Sequence, residues 1–417
     1  MAGAGEGSRR GGRGWNRWLG FLIAGVLLWF VGSNLPWRDT LTLGELGEPG
    51  AVEFVGEIQG DWKAERIGFV FDPDQPARGS GAPVEPELQD WVRGGMTIEA
   101  TATTLRASAE QEELGGQSVS WKPGFPRAFS DLDLAGLLPA AGFLFLATVL
   151  VATRWWRLLA ISGCAASWYT TFRLTYVGLF FNMVLPGSTG GDLARAYVVV
   201  RDHPERRADA LMSVMVDRLL GLIAMALIAT LAVFTNDERF AGLRLFVVGA
   251  FGSMILGLAA FLNPGFRRFI RFEALLARLP QARRLGKLDQ ALLEYARHPG
   301  EVTLALLLSC GNHLCATASL YWIGHAFGDS LSFHDYLCIA TVANTLTAVP
   351  ISPGGLGVGE VLIGGLFQLG GGMRLLGVAS SFVYRLVLAS LGLAGGVFLL
   401  LPGGSAMRRE FREAGHD

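Results

Sequence analysis

The sequence predicts an all-α polytopic membrane protein, built as an inverted repeat with two re-entrant broken-helix hairpins, plus a small β-rich extracytoplasmic domain. The mean hydropathy is +0.38, and several apolar runs are long enough to cross about 30 Å of hydrocarbon. Prolines and glycines interrupt two of these runs, at 185–195 and 349–360, where a continuous spanning helix is not expected. Between the first two runs, residues 36–132 carry 17 acidic and 8 basic side chains, which indicates a polar domain outside the bilayer.

Residues 1–37 are predicted to form a basic N-terminus and a first transmembrane helix, because arginines precede an apolar run with tryptophan at both ends. A cleaved signal peptide is the alternative, but no small-x-small cleavage site follows the run, so a retained anchor is favoured. Residues 38–131 are predicted to form the β-rich domain, since apolar and polar residues alternate from Ile67 to Phe71. Three roles stay open for it: a lid, a spacer, or a surface at 38–130 that binds an envelope protein.

Residues 132–402 are predicted to form the main transmembrane domain in two halves. The predicted segments are a first half at 132–234 (span 132–157, hairpin 167–205, span 208–234), a connecting span at 243–262, a basic cytoplasmic segment at 263–300, and a second half at 302–401 (span 302–327, hairpin 333–373, span 374–401). A basic cytoplasmic tail follows at 403–417. The spans of the two halves are expected to have opposite orientations.

Basic side chains predict which ends of these spans face the cytoplasm. The cluster from Arg154 to Arg157, R-W-W-R, is predicted to lie at the cytoplasmic interface. The segment 263–300 carries 8 basic and 3 acidic side chains, and it is predicted either to lie along the inner membrane surface or to form a solvated loop. His313, inside a span, is interpreted as a packed structural residue more readily than as a ligand.

The two halves share an ordered pattern of residues. Each contains a proline, a glycine pair, an acid and an intramembrane arginine: Pro186, Gly190, Gly191, Asp192 and Arg218 in the first half, and Pro353, Gly354, Gly355, Glu360 and Arg385 in the second. The spacing from proline to arginine is 32 residues in both halves. Broken segments at corresponding positions of inverted halves indicate a transporter whose substrate site lies near the bilayer midplane.

An arginine at the membrane centre is costly unless it is paired or faces a polar cavity, so Arg218 and Arg385 require partners. Asp192 and Glu360 are the nearest candidates in the pattern. In one interpretation the arginines bind a lipid phosphate or another anionic headgroup, with hydrogen bonds from Ser188, Thr189 and the glycines Gly190, Gly191, Gly354 and Gly355. In the other, the charges form internal salt bridges that hold the hairpins.

Four sequence blocks resemble the transmembrane region of lysylphosphatidylglycerol synthases and the wider flippase-like family built on it. They are Arg154–Arg157, the block N-x-x-L-P-G-S-T-G-G-D-L-x-R from Asn182 to Arg195, Asp217-Arg218, and P-x-S-P-G-G-L-G-x-G-E from Pro350 to Glu360. The resemblance covers about residues 132–401 and implies lipid translocation. It adds Asn182, Arg195 and Asp217 to the candidate substrate-binding residues. No catalytic, metal-binding or cofactor-binding residues are predicted, and no nucleic-acid partner is expected.

The resemblance implies a membrane lipid as substrate, of the phospholipid, polyprenyl-phosphate or hopanoid class, and a bacterial-type inner cell membrane with both termini cytoplasmic. Because no aminoacyltransferase domain precedes the end at Asp417, the chain is not expected to be an enzyme that makes lysyl-lipid. Two alternatives stay open. One is a glycosyltransferase that uses a polyprenyl-phosphate sugar, with Asp39 as its general base; the other is a non-transporting envelope scaffold.

Overall fold

The protein was analysed as a computed structural model that describes residues 29, 33, 37–43, 52–75, 78–79, 86–101, 104–107, 113–115, 119–184, 190–236, 238–279, 281–347 and 357–400. These residues form two compact units: Gly32–Asp133, and the residues from Leu134 onward together with Trp29. Trp29 and Ser33 are helical. The rest of the predicted first span and the tail at 403–417 lie outside the described residues.

The first unit is an antiparallel β-sheet with two short helices. Its strands are β1 Asp39–Leu43, β2 Val52–Gln59, β3 Arg66–Phe71, β4 Arg78–Gly79, β5 Thr97–Thr101, β6 Thr104–Ala107, β7 Glu113–Gly115 and β8 Val119–Lys122. The strand order is β7-β6-β5-β3-β2-β1-β8, and β4 pairs with β2. Helix α1, Pro86–Arg93, lies between β4 and β5, and α2, Phe125–Ser130, follows β8. Alternate residues of β3, Ile67, Phe69 and Phe71, are buried, as the alternating sequence predicts. The predicted β-rich domain is therefore confirmed, whereas its extracytoplasmic location stays a prediction.

Asp39 links distant parts of this unit. One carboxylate oxygen accepts hydrogen bonds from the Ile58 amide at 2.7 Å and the Arg127 Nε at 2.7 Å, and the other accepts one from the Gly124 amide at 2.6 Å. The residue is 5% exposed. A general base needs an oxygen that reaches the substrate proton, so these contacts argue against Asp39 in that role and favour a structural one.

Substitution of Asp39 by asparagine is expected to destabilise the β unit by about 3 kcal/mol, because it removes charge-assisted hydrogen bonds and turns an amide NH₂ toward buried donors. The full-length protein is heated, and unfolding of the β unit is monitored by the rate of proteolysis within 38–130. Asp90→Asn is the matched control, since the Asp90 side chain is 77% exposed and its ion pair with Arg93 spans 3.8 Å. Equal stability of the two variants would contradict the structural role.

The second unit is helical. Its helices are α3 Leu137–Ile161, α4 Trp168–Val184, α5 Gly190–Asp202, α6 Arg207–Thr235, α7 Arg244–Leu262, α8 Pro264–Phe269, α9 Phe272–Ala277, α10 Ala282–Ala296, α11 Pro299–Ala326, α12 Phe333–Thr347, α13 Val358–Leu369 and α14 Arg374–Leu400. Short 3₁₀ turns, Pro204–Arg206 and Glu238–Leu243, precede α6 and α7.

Five helical segments of the described chain are long and apolar enough to cross a bilayer: Leu137–Ile161, Pro204–Thr235, Glu238–Leu262, Pro299–Ala326 and Arg374–Phe398. They correspond in order to the five spans predicted after residue 131. The protein is therefore a multi-pass membrane protein.

Both elements predicted to be broken consist of two helices. Helices α4 and α5 flank residues 185–189, and α12 and α13 flank residues 348–356; these intervening residues lie outside the described part of the chain. Helix α5 packs back against α4, and a Cβ atom on Gly191 would lie only 2.1 Å from the Gly178 carbonyl oxygen. Glycine is thus required where the two helices meet. Entry and exit of each pair on the same side of the bilayer stays a prediction.

Corresponding helices of the two halves make corresponding contacts. Helix α3 packs along α11, α5 along α6 and α13 along α14. Helix α4 of the first half packs along α14, the last helix of the second, and α12 of the second half packs along α6 of the first. Gly395 permits the close approach of α14, since a Cβ atom there would lie 2.0 Å from the Tyr176 carbonyl oxygen. Each half therefore completes the packing of the other.

Candidate functional site

Three arginines and two aspartates from α3, α5 and α6 meet in the first half. We call Arg154, Asp192, Arg195, Asp217 and Arg218 the arginine–aspartate cluster. The Arg154 Nε lies 2.6 Å from an Asp217 oxygen, and the Arg218 Nη1 lies 2.7 Å from an Asp192 oxygen. Arg195 pairs with Asp192, one helical turn away, and its Nη1 lies 3.6 Å from the second oxygen of Asp217. The two carboxylates therefore bridge three guanidinium groups.

The cluster contains more basic than acidic side chains, and its members differ in exposure. With all five groups ionised, its three arginines and two aspartates leave one excess positive charge. Arg154, Arg195 and Asp217 are buried, whereas the Arg218 side chain is 42% exposed. Because charge is expensive to bury without a counter-charge, the buried members are held by each other. Arg218 is the member best placed to receive an anion from outside the cluster.

Neighbouring helices hold the buried arginines in place. The Arg154 Nη1 donates to the Ser309 hydroxyl on α11 at 2.8 Å, and the Arg195 guanidinium lies 4.9 Å from the centre of the Trp155 ring. His313 Nε2, also on α11, lies 2.9 Å from the Gly221 carbonyl oxygen of α6. Helix α11, from the second half, therefore supports the cluster of the first.

A cavity of about 270 Å³ opens onto the cluster, and all five cluster members line it. Asn182, Asn312 and His313 add polar groups to its wall. The Asn182 side-chain oxygen accepts a hydrogen bond from the Gly191 amide at 2.7 Å, so it satisfies a donor in the first turn of α5. The volume lies just below the roughly 300–1,000 Å³ of typical ligand pockets, so it suits a small polar or charged group.

The corresponding charges of the second half form a single pair. The Arg385 Nε lies 2.5 Å from one Glu360 oxygen, and the other oxygen accepts a hydrogen bond from the Gly357 amide at 2.6 Å. Gly357 has φ of +79°, a backbone conformation that favours glycine. A Cβ atom on Gly359 would lie 2.4 Å from the Arg385 Nη2, so this glycine lets the arginine reach its acid. The predicted partners of Arg218 and Arg385 are both confirmed.

A second cavity, of about 280 Å³, lies beside Arg385. Its polar wall contains Asn344, Thr347, Ser381 and Tyr384. Tyr384 precedes Arg385 in the chain as Asp217 precedes Arg218, so the second half has a neutral group where the first has a buried acid. One arginine and one glutamate balance here, in contrast to the surplus charge of the first half.

Helix α11 lies between the two cavities. Asn312 and His313 line the first cavity, and Ala316 and Leu320 line the second. The two cavities have no lining residue in common among those that the structure describes. Each of these two cavities is thus lined by described residues around one of the two arginines, Arg218 or Arg385. The single site predicted between the hairpins stays a prediction, because residues 185–189 and 348–356 lie outside the described residues.

Residues 123–396 match the family model described as Lysylphosphatidylglycerol synthase TM region. The chain belongs to this family. A relative, the UPF0104 membrane protein of Methanothermobacter thermautotrophicus, is 24% identical over 236 residues, which cover 52% of this chain and 69% of that protein. The arginine–aspartate cluster and the Glu360–Arg385 pair both lie inside the residues matched to the lysylphosphatidylglycerol synthase transmembrane family.

In this family member, the structure brings most of the predicted site residues to the two cavities. Asn182, Gly191, Asp192, Arg195, Asp217 and Arg218 line the first cavity, and Arg385 lines the second. Gly190 is buried at the start of α5, and Glu360 is buried beside Arg385. Ser188, Thr189, Gly354 and Gly355 lie outside the described residues.

Arg154 is a cluster residue that the sequence does not predict as a substrate-binding residue. It belongs to the R-W-W-R motif, which is predicted to lie at the cytoplasmic interface; Arg154 is 5% exposed and Trp155 is fully buried within the protein. Only the second part of the motif is partly exposed, and there Arg157 pairs with Glu301 at the start of α11. The apolar run continues to Ile161 beyond the arginines, which is the sequence signal that Arg154 lies within a helix. The depth of the motif in the membrane stays a prediction.

Proposed function

We propose that the protein moves an anionic, phosphate-bearing lipid between the leaflets of its membrane, with the headgroup bound in the first-half cavity. The observation that carries this proposal is the surplus positive charge of the arginine–aspartate cluster, whose member Arg218 is half-exposed. A phosphate can accept two parallel hydrogen bonds from a guanidinium group. An anion at Arg218 also balances the net positive charge of the five cluster residues, and charge inside a membrane is costly unless it is balanced.

The repeated helix contacts support a route for this movement. In inverted-repeat transporters, one half rocks against the other around a site built from broken helices. Here each half completes the other through the α4–α14 and α12–α6 contacts. We propose that α4–α5 and α12–α13 are the re-entrant hairpins, that they enter from opposite sides, and that the cavities open to opposite leaflets in turn.

The charge of the cluster also narrows the substrate class. Anionic phospholipids and polyprenyl-phosphate lipids share the phosphate group and a net negative charge, and either one would balance the surplus charge. A neutral hopanoid has no charge with which to balance it. We therefore place the phosphate-bearing classes first. The basic segment 263–300 supports cytoplasmic termini, and a bacterial-type inner membrane belongs to the same proposal.

The test is a leaflet-exchange assay with the full-length protein reconstituted in liposomes. Fluorescent phosphatidylglycerol, phosphatidylcholine and a polyprenyl phosphate are compared, and exchange is measured as the fraction reached by a membrane-impermeant quencher. We expect exchange of at least one phosphate-bearing anionic lipid to exceed that of phosphatidylcholine and that of protein-free liposomes. If every lipid exchanges at the protein-free rate, the proposal is wrong and the scaffold alternative is favoured.

A further inference from the structure

Helices α8 and α9 expose a run of large apolar side chains. Phe266, Phe269 and Ile270 are spaced as neighbours on one face of a helix, and Leu275 and Leu279 are four residues apart. All five are exposed; Phe269 is 84% exposed and Leu275 54%. Single exposed apolar residues are ordinary, but five within fourteen residues form a patch of the kind that contacts a membrane or another protein.

Exposed basic side chains accompany this patch. Arg268, Arg271 and Arg278 are exposed among the apolar residues, with Glu273 as the acid of the same stretch. Basic residues on an apolar, helical segment are typical of elements that lie in the headgroup region of anionic membranes. Helix α8 begins at Pro264, immediately after α7 ends at Leu262, so the segment starts at the end of a membrane-spanning helix.

The basic segment 263–300 is folded onto the helical unit, which argues against the alternative that it forms a solvated loop. Ala291 and Tyr295 of α10 are buried in a core cluster with residues of α3, α6 and α11, and the Tyr295 hydroxyl donates to the Leu158 carbonyl at 3.2 Å. Burial raises the pKa of Tyr295, so its hydroxyl stays a neutral donor. Helix α10 is thus anchored through its buried face.

An ion pair joins α8 to this anchored helix. Arg267 forms two hydrogen bonds with the Asp289 carboxylate, at 2.7 and 2.5 Å. Its guanidinium group lies 4.3 Å from the centre of the Phe272 ring and 5.3 Å from that of Phe261. The hydrogen bond with Asp289 raises the pKa of Arg267. Arg267 therefore fixes α8, the start of α9 and the end of α7 relative to α10.

We infer that Phe266, Phe269, Ile270, Leu275 and Leu279 form a docking face for the headgroup region of the protein's own membrane, and that Arg268, Arg271 and Arg278 bind anionic lipids there. The ligand is a resident lipid of the surrounding leaflet, bound outside the cavities. The inference thus goes beyond the transported substrate and does not depend on transport. Arg267 links α8 to α10. Helix α10 in turn packs on α6, the helix that carries Asp217 and Arg218.

Two residues that precede helices of this segment, Arg271 before α9 and Gln281 before α10, supply a matched pair of variants. Arg271 and Gln281 are the non-glycine residues with positive φ among those described, at +51° and +73°. Glycine relieves backbone strain at either position. Arg271→Gly relieves strain and removes a charge, whereas Gln281→Gly relieves strain and leaves the charge unchanged. A difference between them therefore reports the charge.

The experiment measures contact with lipid chains. In a full-length variant with the native cysteines replaced, one cysteine is placed at Phe269 or, as the control, at the exposed Gln290 of α10, and labelled with a fluorophore. The protein is reconstituted in vesicles of brominated phosphatidylcholine, alone or mixed equally with brominated phosphatidylglycerol. We expect strong quenching at position 269, more in the anionic vesicles, and weak quenching at position 290.

The charge variants complete the test. Arg271→Gly is introduced into the protein labelled at position 269. It is expected to reduce the equilibrium preference of this protein for anionic over zwitterionic vesicles by up to about fivefold, the contribution of one basic residue near such a surface. Gln281→Gly is expected to keep that preference. Equally weak quenching at both labelled positions overturns the docking face, and a preference unchanged by Arg271→Gly overturns the assignment to anionic lipid. Neither result bears on leaflet exchange, so failure of this inference is distinguishable from failure of the proposed function.

Discussion

Replacement of Asp217 by alanine is expected to destabilise the protein by about 3–5 kcal/mol, the range for removal of one partner from a buried ion pair. Asp217 is 2% exposed and faces both Arg154 and Arg195. Its loss leaves two buried guanidinium groups with Asp192 as their remaining acid in the cluster. The measurement is the fraction of detergent-solubilised protein that stays monodisperse after heating.

Two further variants identify the cause of this loss. Asp202→Ala changes an exposed acid at the end of α5 and is expected to leave stability near the wild-type value. The double variant Asp217→Ala/Arg154→Leu is expected to be more stable than Asp217→Ala, because it also removes the buried charge of Arg154, which pairs with Asp217 in the wild type. If Asp217→Ala is as stable as Asp202→Ala, the cluster does not hold α3, α5 and α6 together.

Replacement of Arg218 by glutamine is expected to slow exchange of the anionic lipid by about 10- to 100-fold, the effect of losing one charge-assisted hydrogen bond to the headgroup. The fold is expected to persist, because the Arg218 side chain is half-exposed and Asp192 keeps Arg195 as a partner. Exchange is measured in liposomes at equal amounts of reconstituted protein.

The controls for Arg218 separate charge from geometry. Arg218→Lys keeps the charge but not the planar pair of donors, so its exchange rate is expected to lie between those of the wild type and Arg218→Gln. Arg201→Gln, at an exposed position of α5, is expected to keep the wild-type rate. Wild-type exchange in Arg218→Gln would leave the cluster with a structural role alone.

The two halves are expected to contribute differently, although their motifs correspond. In the second half, Arg385 is balanced by Glu360, and Tyr384 stands where the first half has Asp217. The second cavity therefore offers hydroxyl and amide groups beside a balanced ion pair. We infer that it receives the headgroup during movement, while the first cavity provides the stronger attraction for the phosphate.

Much of this architecture follows from local sequence signals. The apolar runs predict the five spans, and the proline and glycine clusters predict the two broken elements. The need of an intramembrane arginine for a counter-charge predicts the pairs Arg218–Asp192 and Arg385–Glu360. Each of these inferences needs only the order and spacing of residues along one half of the chain.

The features that the sequence did not predict depend on contacts between distant segments. The basic-aromatic motif does not predict Arg154 as a site residue, but its contacts with Ser309, which is 155 residues away, and with Asp217 make it part of the arginine–aspartate cluster. Helix α11 belongs to the second half, yet it lines both cavities and supports the cluster of the first half. The contacts of Asp39 likewise join three segments of the β unit that only the fold brings together.

The most direct test of the central claim is a structure of the full-length protein in nanodiscs that contain the anionic lipid with the fastest exchange. The proposed function predicts headgroup density in the first-half cavity, with a phosphate oxygen about 3 Å from an Arg218 guanidinium nitrogen. Headgroup density confined to the second cavity, with the first cavity free of lipid, would contradict it.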